Sequence, residues 1–240
     1  MILLVRRKRI LGAAALLLSV MTALALTARP PDAIQAFSYI EPPTGHVVIL
    51  DAGHGGSDGG AVSADGTPEA GINLAIVLHL RDFFALMGQQ TVLTRTGEGS
   101  LADADSTTLR QEKVSDTKNR VELINSVTNG WLISVHQNTL PGHPGVHGAQ
   151  VFYGKLPDSD VCAVSVQQAL NEMVNVGNAK ISKPIGSDIY IMAHAECPAI
   201  LVECGFLSNS SETALLLTPE YQTKLAAAIG CGYLQHQGTG

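Results

Sequence analysis

A chain of 240 residues with 45% apolar content can bury one full core and is too short to divide comfortably into two domains. Its formal charge of −6 falls to −11 once residues 1–30 are set aside, because that stretch holds five basic residues and no acidic one. This balance argues against nucleic acid as a partner, since phosphate binding needs clustered Lys and Arg, and it offers no long-range attraction to a polyanionic polymer.

The first element is a leader. Arg6, Arg7, Lys8 and Arg9 precede 19 uncharged residues, from Ile10 to Ala28, which is the layout of a charged n-region followed by an apolar h-region. Residues 1–28 are expected to be a signal peptide or a membrane anchor. Ala23, Ala25 and Ala28 offer small residues for cleavage, but the run approaches the roughly 20 residues that cross a bilayer as a helix, which favours a retained anchor. The basic end then stays inside and the remainder faces out. Residues 29–45 are rich in Pro and Ala, with two Pro-Pro steps, and read as a linker. A folded domain is expected over 46–240.

Within that domain, short β-rich apolar runs alternate with longer helical patterns. Strands are expected at 46–51, 90–94, 131–135, 149–153, 189–192 and 199–202, and helices at 69–87, 117–126, 160–174 and 219–235. Residues 96–113 read as a long surface loop. The alternation predicts a single-domain α/β sandwich, its largely parallel sheet covered by helices on both faces. Ligands of such folds gather at the carboxyl ends of the strands.

Three apolar strands run directly into polar clusters at that end. Val47-Val48-Ile49-Leu50 leads into Asp51-Ala52-Gly53-His54-Gly55-Gly56. Leu132-Ile133-Ser134-Val135 leads into His136-Gln137-Asn138. Ala199-Ile200-Leu201-Val202 leads into Glu203-Cys204-Gly205. Between the first two, Glu69 starts a helix carrying Ile72, Leu74, Ile76, Leu78 and Leu80. Singly, each polar residue has an ordinary explanation: a strand-end His is commonly a hydrogen-bonded structural residue, and a Glu in the first helical turn suits the helix dipole. Glu203 is harder to explain in that way, because a carboxylate closing a continuous apolar strand must be paired, metal-bound or functional. Together, two His and two Glu can supply three metal ligands and a free base, the set that metal-assisted hydrolysis requires. On this reading His54, Glu69 and His136 ligate zinc, and Glu203 is the catalytic base.

The order Asp-x-Gly-His-Gly-Gly, Glu at a helix start, Ser-x-His-x-Asn and Val-Glu-x-Gly-Phe-Leu-Ser-Asn also resembles the zinc-dependent N-acetylmuramoyl-L-alanine amidases of the type-3 fold. The likeness runs from about Val47 to Leu234. It implies a mixed sheet flanked by helices, zinc on His54, Glu69 and His136, Glu203 as the catalytic carboxylate, and hydrolysis of the muramyl–L-alanine amide in peptidoglycan. The leader and the lack of a wall-binding repeat resemble the short, membrane-tethered amidases of spore-formers, which act on cortex. The implied partners are peptidoglycan and, through the N-terminal segment, the membrane. Whether a protein activator is needed stays open. Ala52, Val135 and Cys204 depart from the common family pattern without removing a proposed ligand, and Arg120 and Asn125 match a helix pattern to which a structural role is assigned.

Other readings stand beside this one. The ligand set alone also fits a zinc peptidase or carboxypeptidase acting on wall peptides, and the fold could serve a wall-binding protein without catalysis. Cys204 as a thiol nucleophile with His136 or His194 as base lacks any local cysteine-hydrolase signature. Cys162, Cys197, Cys204 and Cys231 are expected to be small buried thiols and not disulfides. His143 and His147 are read as solvated loop residues, and His46, His79, His194 and His236 fit no motif. The Gly-rich loops 53–60 and 142–148 are the expected cleft walls, open enough for a glycan strand.

Overall fold

The structure, a computed structural model, describes residues 45–238; the expected leader at 1–28 and almost all of the linker at 29–45 lie outside the described residues. In chain order the elements are β1 (Val47–Ala52), α1 (Glu69–Leu86), β2 (Thr91–Leu93), α2 (Leu109–Ser126), β3 (Gly130–Asn138), β4 (Gln150–Tyr153), α3 (Ser159–Met173), β5 (Lys183–Pro184), α4 (Tyr190–His194), β6 (Ala199–Phe206), α5 (Ser210–Leu216) and α6 (Pro219–Gln237).

The strands form one sheet in the order β2-β1-β3-β6-β4-β5. β2, β1, β3 and β6 run parallel. β4 pairs antiparallel with β6, and β5 follows β4 in parallel. The sheet is therefore mixed and mostly parallel, as expected. Side chains alternate across a strand, and this alternation sorts the core into two clusters. Val48, Leu50, Trp131, Ile133, Val135, Ile200, Val202 and Cys204 face α1, α3 and α6, where they meet Ile76, Leu80, Val166, Leu170 and Ile229. Ile49, Leu132, Ala199 and Leu201 face the other way, toward Ile124 of α2 and Met192 of α4.

Two expectations about elements are corrected. Residues 189–192 are not a strand: the run forms the start of α4, whose Met192 is buried against the sheet. The helix is held by Asn125, which donates to the His194 carbonyl and accepts from the Glu196 amide. The sheet edge is supplied instead by Lys183–Pro184. The 96–113 loop ends early, because α2 begins at Leu109, eight residues before 117. Thr108 caps this helix reciprocally with Gln111, which ties down amide groups that would otherwise lack partners. Among the described residues, no helix is long and apolar enough to cross a membrane.

Candidate metal centre

Parallel pairing places the carboxyl ends of β1, β3 and β6 side by side. Asp51 lies opposite Ser134, and His136 lies opposite Glu203. By strand alternation Asp51, Ser134, His136 and Glu203 share the face of Ile49, Leu132 and Leu201. Directly after the His136–Glu203 pair the register shifts, so that Asn138 pairs with Phe206. Irregularities of this kind commonly re-aim side chains beside a site.

His54 follows β1 with φ 61°, a left-handed conformation that is uncommon for a residue other than glycine. Two guanidinium groups hold the turn in this shape. Arg95 donates to the carbonyls of Ala52, Gly53, Ala70 and Gly97. Arg120 donates to those of Ala52 and His54, both at under 2.8 Å (2.7 and 2.6 Å). Two glycines let the loop close over the site. A Cβ on Gly53 would run into the His136 ring, and one on Gly60, at φ 71°, would run into the Glu69 carboxylate.

The loop brings His54 Nε2 to 3.0 Å from Glu69 Oε1. The other ring nitrogen, Nδ1, lies 2.8 Å from Asp58, which also pairs with Lys113. Glu69, at the first turn of α1, is buried. Its Oε1 accepts from the Ala61 amide at 2.8 Å, and its Oε2 accepts from the Gln137 amide at 2.7 Å. His136 Nδ1 stands 3.8 Å from the same Oε2, and the two imidazole rings meet edge to face at 5.0 Å. Ligand atoms of His54, Glu69 and His136 all lie within 4.8 Å of one another. Two imidazoles and a carboxylate so gathered can hold a metal ion.

The same proximity shifts their protonation, and His54 must release its proton before it can bind a metal. Burial would raise the Glu69 carboxyl, but His54 and His136 overrule it and hold it at about 2. Burial would lower His54, but the Glu69 and Asp58 carboxylates drive it up to about 9. His136 is lowered, chiefly by burial. For Glu203 the balance falls the other way: burial, and then the Glu69 charge, outweigh the pull of His54 and push its carboxyl up to about 8. Its Oε2 is buried without a hydrogen-bond partner. It lines a cavity of about 370 Å³ together with the three candidate ligands.

All four residues singled out in the sequence thus come together. Cys204 does not join them: strand alternation turns it to the opposite face, into the α1/α3/α6 cluster, where burial pushes its thiol far up. No described cysteine is in a disulfide, but Cys231 is exposed and not buried as expected. The cleft walls are also partly corrected. The 142–148 loop does not line the cavity, whereas Asp188, Ile189, Tyr190 and Ile191 do. His143 and His147 are exposed, in keeping with solvated loop residues. Arg120 and Asn125 have the structural roles assigned to them.

Sequence reasoning missed Asp51, Asp58, Asn73 and Arg95. Asp51 carried a usable signal: like Glu203, it closes an apolar strand and therefore requires a partner, which proves to be Arg120 at 2.7 Å. Asp58, Asn73 and Arg95 carried none in a single sequence.

Known proteins share the sequence and fold of this chain. The model of a family described as N-acetylmuramoyl-L-alanine amidase matches residues 48–233. The germination-specific N-acetylmuramoyl-L-alanine amidase of Bacillus subtilis is 33% identical over 195 residues, spanning 81% of this chain and 81% of that protein. The CwlD amidase of Clostridioides difficile, solved in complex with the GerS lipoprotein, matches with a TM-score of 0.78 and 38% identity, covering 81% of this chain and 100% of that one. An N-acetylmuramoyl-L-alanine amidase from Clostridium difficile 630 matches with a TM-score of 0.70 and 27% identity, covering 81% and 97%.

Proposed function

Because the chain belongs to the N-acetylmuramoyl-L-alanine amidase family, we propose that His54, Glu69 and His136 hold one zinc ion and that Glu203 is the catalytic base. The reaction is hydrolysis of the amide between N-acetylmuramic acid and L-alanine in peptidoglycan. One observation carries the residue assignment: three donors gather within 4.8 Å beside a buried carboxylate oxygen that lacks a hydrogen-bond partner. His54 Nε2 lies 3.0 Å from Glu69 Oε1 and His136 Nδ1 lies 3.8 Å from Glu69 Oε2, so each imidazole faces one oxygen of the carboxylate.

Held by His54, Glu69 and His136, zinc would supply a Lewis acid able to polarise the amide carbonyl and to lower the pKa of a water to about 7. The chain's own residues do the rest. Asp58, on Nδ1, fixes the His54 ring so that Nε2 faces the centre. Glu203, once ionised, takes the proton of the attacking water at Oε2. It then delivers that proton to the nitrogen of the departing L-alanine, so that one carboxyl serves as base and then as acid. The Asp188–Ile191 wall and the 53–60 loop flank the cavity where the substrate lies.

The relative from Bacillus subtilis is named germination-specific, and this supports a role for the present chain in spore cortex. An extracytoplasmic location follows from that substrate and from the basic-then-apolar pattern of residues 1–28, read as a signal peptide or anchor. Residues 29–45 would be the linker and 46–240 the catalytic domain. The complex of the related amidase with a lipoprotein supports a protein partner of that kind.

The test is digestion of purified peptidoglycan by the zinc-loaded chain, followed by mass spectrometry. Release of intact stem peptides beginning with L-alanine, with glycan strands uncut, is expected. New reducing ends, or cuts within the stem peptide alone, would overturn the reading.

A further inference from the structure

The three candidate ligands come from segments far apart in the chain, and something must keep them in register. Asn73, one turn beyond Glu69 in α1, is fully buried. Its Nδ2 donates to the Gly53 carbonyl at 3.1 Å and to Glu69 Oε2 at 3.2 Å. Its Oδ1 accepts from Gln137 Nε2 at 3.1 Å. Gly53 precedes His54 and Gln137 follows His136, so one amide side chain touches Glu69 and the immediate neighbours of both histidines. The link to β3 is doubled, because the Gln137 amide donates to Glu69 Oε2 at 2.7 Å.

We propose that Asn73 is the positioning residue of the metal centre, setting the separation of the three ligands and the orientation of the Glu69 carboxylate. The inference rests on the ligand assignment above. Asparagine suits the place chemically. A site between two carbonyl or carboxylate acceptors and one amide donor needs two N–H groups and one oxygen on a short, planar side chain. Aspartate would bring a second charge against Glu69 and lose both donors, and leucine would fill the space with none. Groups that orient metal ligands commonly change metal affinity by about 10–100-fold when removed.

The test compares wild type with Asn73→Ala and Asn73→Leu in the full chain. Three quantities are read: zinc affinity by chelator competition, the visible absorption of the cobalt(II)-substituted protein, and the melting temperature of the metal-free protein. A loss of about 10- to 100-fold in zinc affinity, with an altered cobalt spectrum in variants that still melt cooperatively, is the expected result. Wild-type affinity and spectrum in folded variants would overturn the inference, even with a lowered melting temperature, since Asn73 would then serve stability alone. If both variants fail to fold, Gln137→Met decides: it keeps Asn73 but removes the donor to its oxygen. Weakened zinc binding there supports the inference, and unchanged binding overturns it. Absence of zinc binding by the wild-type chain itself would overturn the metal centre, and the inference with it. That outcome is distinct from tight wild-type binding that Asn73 does not influence.

Discussion

Arg120 lies 2.7 Å from Asp51 with both side chains sealed from solvent, and the same guanidinium reaches over to the carbonyl of His54. An ion pair buried this deeply is costly to split, because the remaining charge has no water to turn to. Here it also connects α2 and β1 to the loop that presents a candidate ligand.

The pair predicts an acid-labile component of stability. Burial alone would raise the Asp51 carboxyl, but Arg120, with hydrogen bonds from Ser134 and Thr94, holds it at about 2, below the ordinary 3.8. The folded value lies below the unfolded one, so this contribution is complete above roughly pH 4 and drains away as pH falls toward 2. Its size is about 2 kcal/mol. Urea unfolding of the metal-free chain from pH 7 to pH 2.5 should show this slope, and Asp51→Asn should flatten it. Arg120→Met should cost roughly 3–5 kcal/mol at neutral pH; a loss under 1 kcal/mol would mean that the carboxylate finds other partners.

Replacing His136 by Ala should abolish stoichiometric zinc in purified protein measured by elemental analysis, while the circular dichroism spectrum keeps its shape. A full equivalent of zinc retained by that variant would show that the ligand set is drawn wrongly.

Glu203→Gln keeps the shape of the side chain and removes the proton acceptor. Zinc content should remain at one equivalent, while kcat on peptidoglycan falls by about 10²–10⁴-fold. Loss of zinc in this variant would move Glu203 among the ligands.

Tyr190 lines the cleft and is 40% exposed, its ring stacked on that of His194 with centroids 3.9 Å apart, on a short helix anchored by Asn125. A rigid, half-exposed ring beside the reacting centre presents a ready face to substrate. Its replacement by Ala should raise KM by about 2- to 12-fold, the equivalent of roughly 0.5–1.5 kcal/mol of ring contact, with kcat little changed. Unaltered KM would remove Tyr190 from the binding surface.

What could be read from the sequence follows the physics of each segment. β1, β3 and β6 are continuous apolar runs because both faces of the sheet are covered, and their polar endings stand out for that reason. His54, His136 and Glu203 were legible on this ground. Residues 189–192 were not, because a four-residue apolar run fits a strand or a buried helical turn equally well, and Asn125 and Glu196 decide between them only in three dimensions. The first two turns of α2 lack apolar periodicity, and only the capping pair Thr108 and Gln111 marks their start. Asn73 looked like an ordinary polar position in an amphipathic helix, since the partners that tie it to both histidine segments are 20 and 64 residues away.

The sheet ends on two stubs, a three-residue strand at Thr91–Leu93 and a two-residue strand at Lys183–Pro184. The second combines a charge with a residue that has no amide hydrogen to offer. A long bare edge invites another chain to add itself as the next strand, whereas short, charged or proline-bearing edges discourage it. Many copies working side by side on one insoluble polymer would meet at high local density. Stunted margins of this sort let them crowd together without zipping into aggregates.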